Sequence, residues 1–193
     1  MKIVSKIISI LHPNNKSISK LSNIFTHLTN QEKDTLYNLG LSLKKKSVIV
    51  EIGSYLGASS CFLASAAKKR KSILHCIDTW ENHEMSEGYR NTFEEFMTNT
   101  ESLAKFIEIH KGFSSDIAKT IDFKIDMIFF DGGHSYETIK LDWESWSPKL
   151  KESAVVIFHD FGWAEGVKKV IEENSSSLVP KGALPNMWWG IKN

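Results

Sequence analysis

The sequence predicts an α/β fold: a doubly wound, mostly parallel sheet covered by helices on both faces, with further helices ahead of it. Three observations carry this expectation. From Ser47 onward short apolar runs alternate with stretches of helical period, the order of strand–helix–strand units. The runs are continuously apolar, as in Val48-Ile49-Val50 and Met127-Ile128-Phe129-Phe130, which suits strands buried on both faces. A chain of 193 residues also fits one domain that buries roughly two-thirds of its unfolded surface.

Element by element, Ile3, Val4, Ile7, Ile8 and Leu11 repeat at helical spacing, Pro13-Asn14-Asn15 interrupts them, and Ile18, Leu21, Phe25 and Leu28 resume the pattern. Thr29-Asn30-Gln31-Glu32 reads as a capping box opening a third helix through Leu36 and Leu39, with Gly40 as its stop. Residues 1–46 are therefore expected to form a helical extension and residues 47–193 the main domain. Within the latter, strands are expected at 48–50, 73–77, 106–109, 127–130, 154–158 and 187–191. The intervening helices are expected at 58–69, 89–103, 115–121, 136–150 and 164–173.

Hydrophobic residues make up 41% and charged residues 24%, with a net charge of +1. That balance excludes a disordered or fibrous chain and gives no global attraction to nucleic acid or anionic membrane. The cluster Lys68-Lys69-Arg70-Lys71 reads as cations complementing the carboxyl end of a helix. Cys61 and Cys76 stand in apolar company, outside any zinc-type spacing, and read as core residues in a reducing compartment. Lys2 and Lys6 flank an apolar run too short and broken for a signal peptide, and nothing approaches the roughly 20 apolar residues of a membrane span. The expectation is a cytoplasmic protein, open to homo-oligomer formation.

Open parallel sheets bind ligands beyond the carboxyl ends of their strands, so the residues after each run matter most. The first run is followed by Glu51-Ile52-Gly53-Ser54-Tyr55-Leu56-Gly57, an ExGxxxG turn into a helix. Its glycines allow close approach to a ligand, and the helix N-terminus favours an anion. The second run ends in Asp78, where nucleotide folds place a ribose acceptor, followed by Thr79 and Trp80, a ring that could stack on a purine or pack internally. Lys111-Gly112-Phe113-Ser114-Ser115 makes another glycine turn after the third. The next two runs end in Asp131-Gly132-Gly133-His134 and His159-Asp160. Two strand-end aspartates supply hard oxygen ligands for a Mg²⁺-like cation, and His134 is placed to act as a general base.

The ExGxxxG turn, Asp78, and the string Phe130-Asp131-Gly132-Gly133-His134-Ser135-Tyr136-Glu137 through Asp142, Trp146 and His159-Asp160 resemble class I S-adenosylmethionine-dependent methyltransferases. The nearest subgroup is related to macrolide-sugar O-methyltransferases and cephalosporin-hydroxylase-like proteins. The resemblance covers roughly residues 47–173 and implies a seven-stranded sheet whose last strand is antiparallel. It implies that Glu51, Gly53, Ser54, Tyr55 and Gly57 surround the methionine part of the cofactor and that Asp78, with Thr79 and Trp80 beside it, holds the ribose. Gly112, Phe113 and Ser114 then border the adenine, and Asp131 borders the cofactor. In metal-dependent relatives the ligands map to Asp131, His159 and Asp160, and the base to His134; those relatives usually carry an acid or amide at the position of His159. The acceptor is expected to be a saccharide or other small hydroxylated molecule, held by the N-terminal helices, residues 81–95 with Tyr89 and Arg90, and the turn Gly162-Trp163-Ala164. Two other readings compete: a metal-dependent hydrolase using Asp131, His134, His159 and Asp160, and a non-catalytic cofactor-binding module.

Overall fold

The computed structural model describes residues 23–82 and 88–193. The expected helix over residues 3–11 lies outside them. The described elements run α1 (Asn30–Ser42), β1 (Val48–Ile52), α2 (Ala58–Arg70), β2 (Ile73–Asp78), α3 (Phe93–Thr100), β3 (Ile107–Lys111), α4 (Ser114–Thr120), β4 (Ile125–Phe130), α5 (Tyr136–Trp146), β5 (Leu150–His159), α6 (Glu165–Glu173), β6 (Leu178–Leu184) and β7 (Met187–Lys192). The strands form one seven-stranded sheet in the order β3-β2-β1-β4-β5-β7-β6. The pairs from β3 to β5 are parallel, and β7 is antiparallel to both β5 and β6. No helix among the described residues is long and apolar enough to cross a membrane.

Strand alternation explains the continuous apolar runs. Val50, Ile128, Val156 and Phe158 point to a core shared with Ile139 and Trp143 of α5 and Val167 of α6. Their neighbours Ile49, Phe129 and Ile157 point to the opposite core, shared with Leu36 of α1 and Leu63 and Ala64 of α2. The chain thus leaves β1 toward one face and β4, its neighbour in the sheet, toward the other. This is the switch point at which open sheets leave a crevice.

The capping box of α1 is present: Glu32 N donates to Thr29 Oγ1 at 3.2 Å, and Thr29 N donates to Glu32 Oε2 at 2.7 Å. Ser135 caps α5 in the same way, accepting from Thr138 N at 3.1 Å. The basic cluster does close α2, where Arg70 Nη2 donates to the Leu41 carbonyl at the end of α1 and Lys71 takes a left-handed φ of 54° as the cap.

Several expectations are corrected. The helical pattern through Phe25 and Leu28 does not persist, since residues 25–29 are not helical. Leu28 N donates to Thr26 Oγ1 at 3.1 Å, a local bond that competes with helix formation. α3 begins at Phe93 rather than near Tyr89, because Phe93 N is taken by Asn91 Oδ1 and Thr92 N by the Trp80 carbonyl. The helix expected to reach residue 150 ends at Trp146, and Ser147–Lys149, containing Pro148, is a 3₁₀ turn. β5 starts there, four residues earlier than its apolar run. β6 has no counterpart among the strands read from apolar runs: its Pro180, Lys181 and Gly182 break the pattern, which an edge strand tolerates.

Candidate active site

The ExGxxxG turn is shaped by its contacts. Gly53 has φ 84°, and a Cβ there would collide with the Asp131 carbonyl. Gly57 has φ 86° and a Cβ there would press on Thr100 and Phe96 of α3. Between them, the backbone N–H groups of Ser54 and Tyr55 both donate to Asp78 Oδ2 at 2.8 Å, and Trp80 N donates to Asp78 Oδ1 at 2.7 Å. Asp78 therefore ties the end of β2 to the turn after β1.

Glu51 lies beneath this turn, fully buried, accepting from Ser54 Oγ at 2.7 Å and from Ser60 Oγ. Burial pushes its carboxyl above the ordinary range, and the serine hydroxyls only partly offset that. Its other oxygen, Oε1, is buried with no hydrogen-bond partner.

The strand ends open into a cavity of about 540 Å³, within the range of small-molecule sites. Gly53, Ser54, Tyr55, Asp78, Thr79, Gly112, Phe113, Ser114, Asp131, His134, His159 and Asp160 all line it. Glu51, Gly57 and Trp80 are not among its lining residues. For Trp80 this is a correction: its ring is fully buried against Phe93 and Phe96, at centroid distances of 5.2 and 4.9 Å, so it packs the core and offers no face to a purine. Of the segment expected to hold an acceptor, Asn82 and Thr92 line the cavity, whereas the exposed Tyr89 and Arg90 do not.

At the β4 and β5 ends the charged groups form one network. His159 Nδ1 lies 2.9 Å from Asp131 Oδ1 and 3.2 Å from Asp160 Oδ1. His134 Nδ1 lies 2.9 Å from Asp160 Oδ2. Trp163 Nε1 and Asn186 Nδ2 donate to Asp160 Oδ1 at 2.9 and 3.0 Å. Burial pulls the His159 imidazole down, but the carboxylates of Asp131 and Asp160 outweigh it and hold it up to about 11. Burial likewise opposes ionisation of Asp160, yet hydrogen bonds from His134 and His159 hold its carboxyl well below the usual range. His159 is thus an imidazolium between two carboxylates.

Asp131, His159 and Asp160 each offer a ligand atom within 4.8 Å of the others, so the donor set fits a divalent cation that displaces the proton from His159. For an adenosyl cofactor the fit rests on the cavity, the Asp78 carboxylate at the turn, and the Gly112-to-Ser114 segment lining the same space. Ser114 is fixed there by accepting from Trp146 Nε1 at 2.7 Å.

Two contributors lie outside the sequence motifs. Asn186, in the β6–β7 turn, donates from Nδ2 to Asp160 Oδ1 at 3.0 Å, beside the His159 ring. Glu32 of α1, buried, sits 3.8 Å from His159 Nε2. Both are single polar residues far from the motifs in sequence; the capping box was the one signal that placed Glu32 at all.

Residues 50–161 match the model of a family described as "Methyltransferase domain". An uncharacterized protein of Sinorhizobium fredii (strain NBRC 101917 / NGR234), y4gI, is 33% identical over 154 residues, 74% of this chain. The chain spans 17% of the length of that curated relative. The O-methyltransferase TomG from Streptomyces achromogenes, solved with S-adenosylmethionine, is similar at a TM-score of 0.71 and 17% identity, over 98% of this chain and 95% of its own. CalS11, a TDP-rhamnose 3′-O-methyltransferase of calicheamicin biosynthesis, is similar at a TM-score of 0.61 and 16% identity, over 91% of each chain.

Proposed function

The chain belongs to the methyltransferase domain family, with the class I S-adenosylmethionine-dependent fold, and from that premise we propose that it is an O-methyltransferase acting on a hydroxyl of a sugar or similarly small acceptor. The observation that carries this reading is the His134–Asp160 pair, set in the same cavity as Asp78 and the glycine turn. S-adenosylmethionine supplies a methyl group activated on a sulfonium centre. The residues that would hold it are Ser54, Tyr55, Asp78 and Thr79, with Gly112, Phe113 and Ser114 bordering its adenine.

The reaction then needs an acceptor oxygen held in line and relieved of its proton. Asp160 Oδ2 accepts from His134 Nδ1–H, which puts the lone pair of the neutral imidazole on Nε2. A positioned base of this kind contributes roughly 10²–10⁴-fold to rate. His159, as an imidazolium, offsets part of the charge of the two carboxylates: burial still pushes the Asp131 carboxyl above its ordinary range, while hydrogen bonds from His134 and His159 keep Asp160 ionised. Trp163, 59% exposed and edge-on to His134 at 5.1 Å, gives an aromatic face suited to the apolar side of a sugar ring. The likeness to a sugar O-methyltransferase supports the saccharide class.

A second reading is favoured by the 4.8 Å cluster: a divalent cation on Asp131, His159 and Asp160 would lower the pKa of an acceptor hydroxyl. Incubation with methyl-labelled S-adenosylmethionine and a panel of glycosides and nucleotide sugars tests both. Label is expected on an acceptor oxygen, with turnover reduced roughly 10²–10⁴-fold in His134→Ala and cofactor affinity unchanged. Equal turnover in wild type and His134→Ala overturns the assignment of the base. Complete loss of transfer on chelation, restored by Mg²⁺ or Mn²⁺, selects the metal reading.

A further inference from the structure

Away from the cavity, on the face of the sheet that carries α4 and α5, β2 and β3 bring together a second set of metal-binding side chains. We propose that His75, Glu108 and His110 form a site for a divalent transition ion of the zinc type, fastening the edge strand β3 to β2.

The parallel register sets His75 opposite Glu108 and Ile77 opposite His110, so all three side chains share one face. His75 Nδ1 lies 3.0 Å from His110 Nε2 and 3.5 Å from Glu108 Oε2, and all three ligand atoms fall within 4.8 Å of one another. A tetrahedral ion with Zn–N bonds of about 2.0–2.1 Å holds its ligand atoms about 3.3 Å apart. The two contacts made by His75 thus already lie within a few tenths of an ångström of that spacing. The His75 ring is already fixed, packed on Phe123 at a centroid distance of 4.3 Å and stacked with His110.

The protonation states agree with this geometry. Burial holds the His75 imidazole down to about 4 and lowers that of His110 as well, with Glu108 only partly opposing. Both rings are neutral at physiological pH, the form that ligates a metal. In the metal-free chain their contact is a hydrogen bond, and binding moves that proton to the far ring nitrogen. Two imidazoles and one carboxylate favour zinc, cobalt or nickel over magnesium. Glu108 is 59% exposed in its side chain and His110 half-buried, so the fourth position opens to water. Asp78 is three residues along β2 and Gly112 two residues beyond His110, which places the clip just below the cavity rim.

Titration of the full chain with Co²⁺ in excess Mg²⁺, followed by visible absorption and competed with Zn²⁺, tests the site. One equivalent is expected in wild type and in His159→Asn. Affinity is expected to fall by at least roughly tenfold, the loss that even an outer-shell partner causes, in His110→Asn and in Glu108→Gln. Both variants should melt like wild type without metal; should His110→Asn fail to fold, the exposed Glu108→Gln decides. Absence of binding, equal binding by the Glu108 and His110 variants, or loss only in His159→Asn overturns the proposal.

Discussion

Asp78 organises the glycine turn before any ligand arrives, since three backbone N–H groups converge on its carboxylate. Hydrogen bonds to a charged acceptor are worth about 1.5–3 kcal/mol. Asp78→Ala should therefore lower both chain stability and affinity for S-adenosylmethionine, the latter roughly 10- to 100-fold, as read by calorimetry against denaturant melts. Asp78→Asn keeps one acceptor oxygen and should recover part of the stability. Gly53 is constrained more severely, because its φ of 84° and the Asp131 carbonyl leave no place for a Cβ. Gly53→Ala should cost more than the about 1 kcal/mol of an unfavourable backbone conformation alone, with a lower urea midpoint as the measurement. Tyr55, at φ 45° in the same turn, shows that the strain there is not confined to glycine.

The element that joins stability to the site is α1. Its capping box fixes the first turn, and Glu32, the box's acid, faces His159 at 3.8 Å. Thr29→Ala should cost about 1 kcal/mol of stability, the usual worth of such a cap, measured as a shift in denaturant midpoint at unchanged slope. This helix was legible because a capping box is a local signal. The central strands were legible for a related reason: burial on both faces leaves an unbroken apolar run. β6 was not, because as an edge strand it carries Pro180, Lys181 and Gly182 without penalty. Nor was the first half of β5, where Lys151, Glu152 and Ser153 are exposed and look like a loop. At the site, the strand-end carboxylates stood out as charges that no folding argument demands. Asn186 stood out in nothing and Glu32 only as the acid of a capping box, since long-range contact alone brings them to His159. Trp80 misled because position after a strand does not say which way a ring turns, and here it turns into the core.

For the whole molecule, two histidines set opposite pH limits on stability. His159 is raised from 6.5 to about 11, so the folded chain holds this proton more tightly than the unfolded one. Its contribution is fully present below about 6.5 and is lost as pH rises toward about 11. His75 is lowered to about 4, so the unfolded chain takes up this proton first, and stability falls as pH drops from about 6.5 toward about 4. Urea midpoints across this range should show both limbs, and His159→Asn should flatten only the alkaline one. The central claim is that the crevice between β1 and β4 binds the methyl donor through the glycine turn and Asp78. Calorimetric titration of the chain with S-adenosylmethionine and with S-adenosylhomocysteine tests it most directly. One-to-one saturable binding of both, weakened in Asp78→Ala and retained in His134→Ala, is the expected result; no heat of binding from either ligand, or affinity indifferent to Asp78, would contradict it.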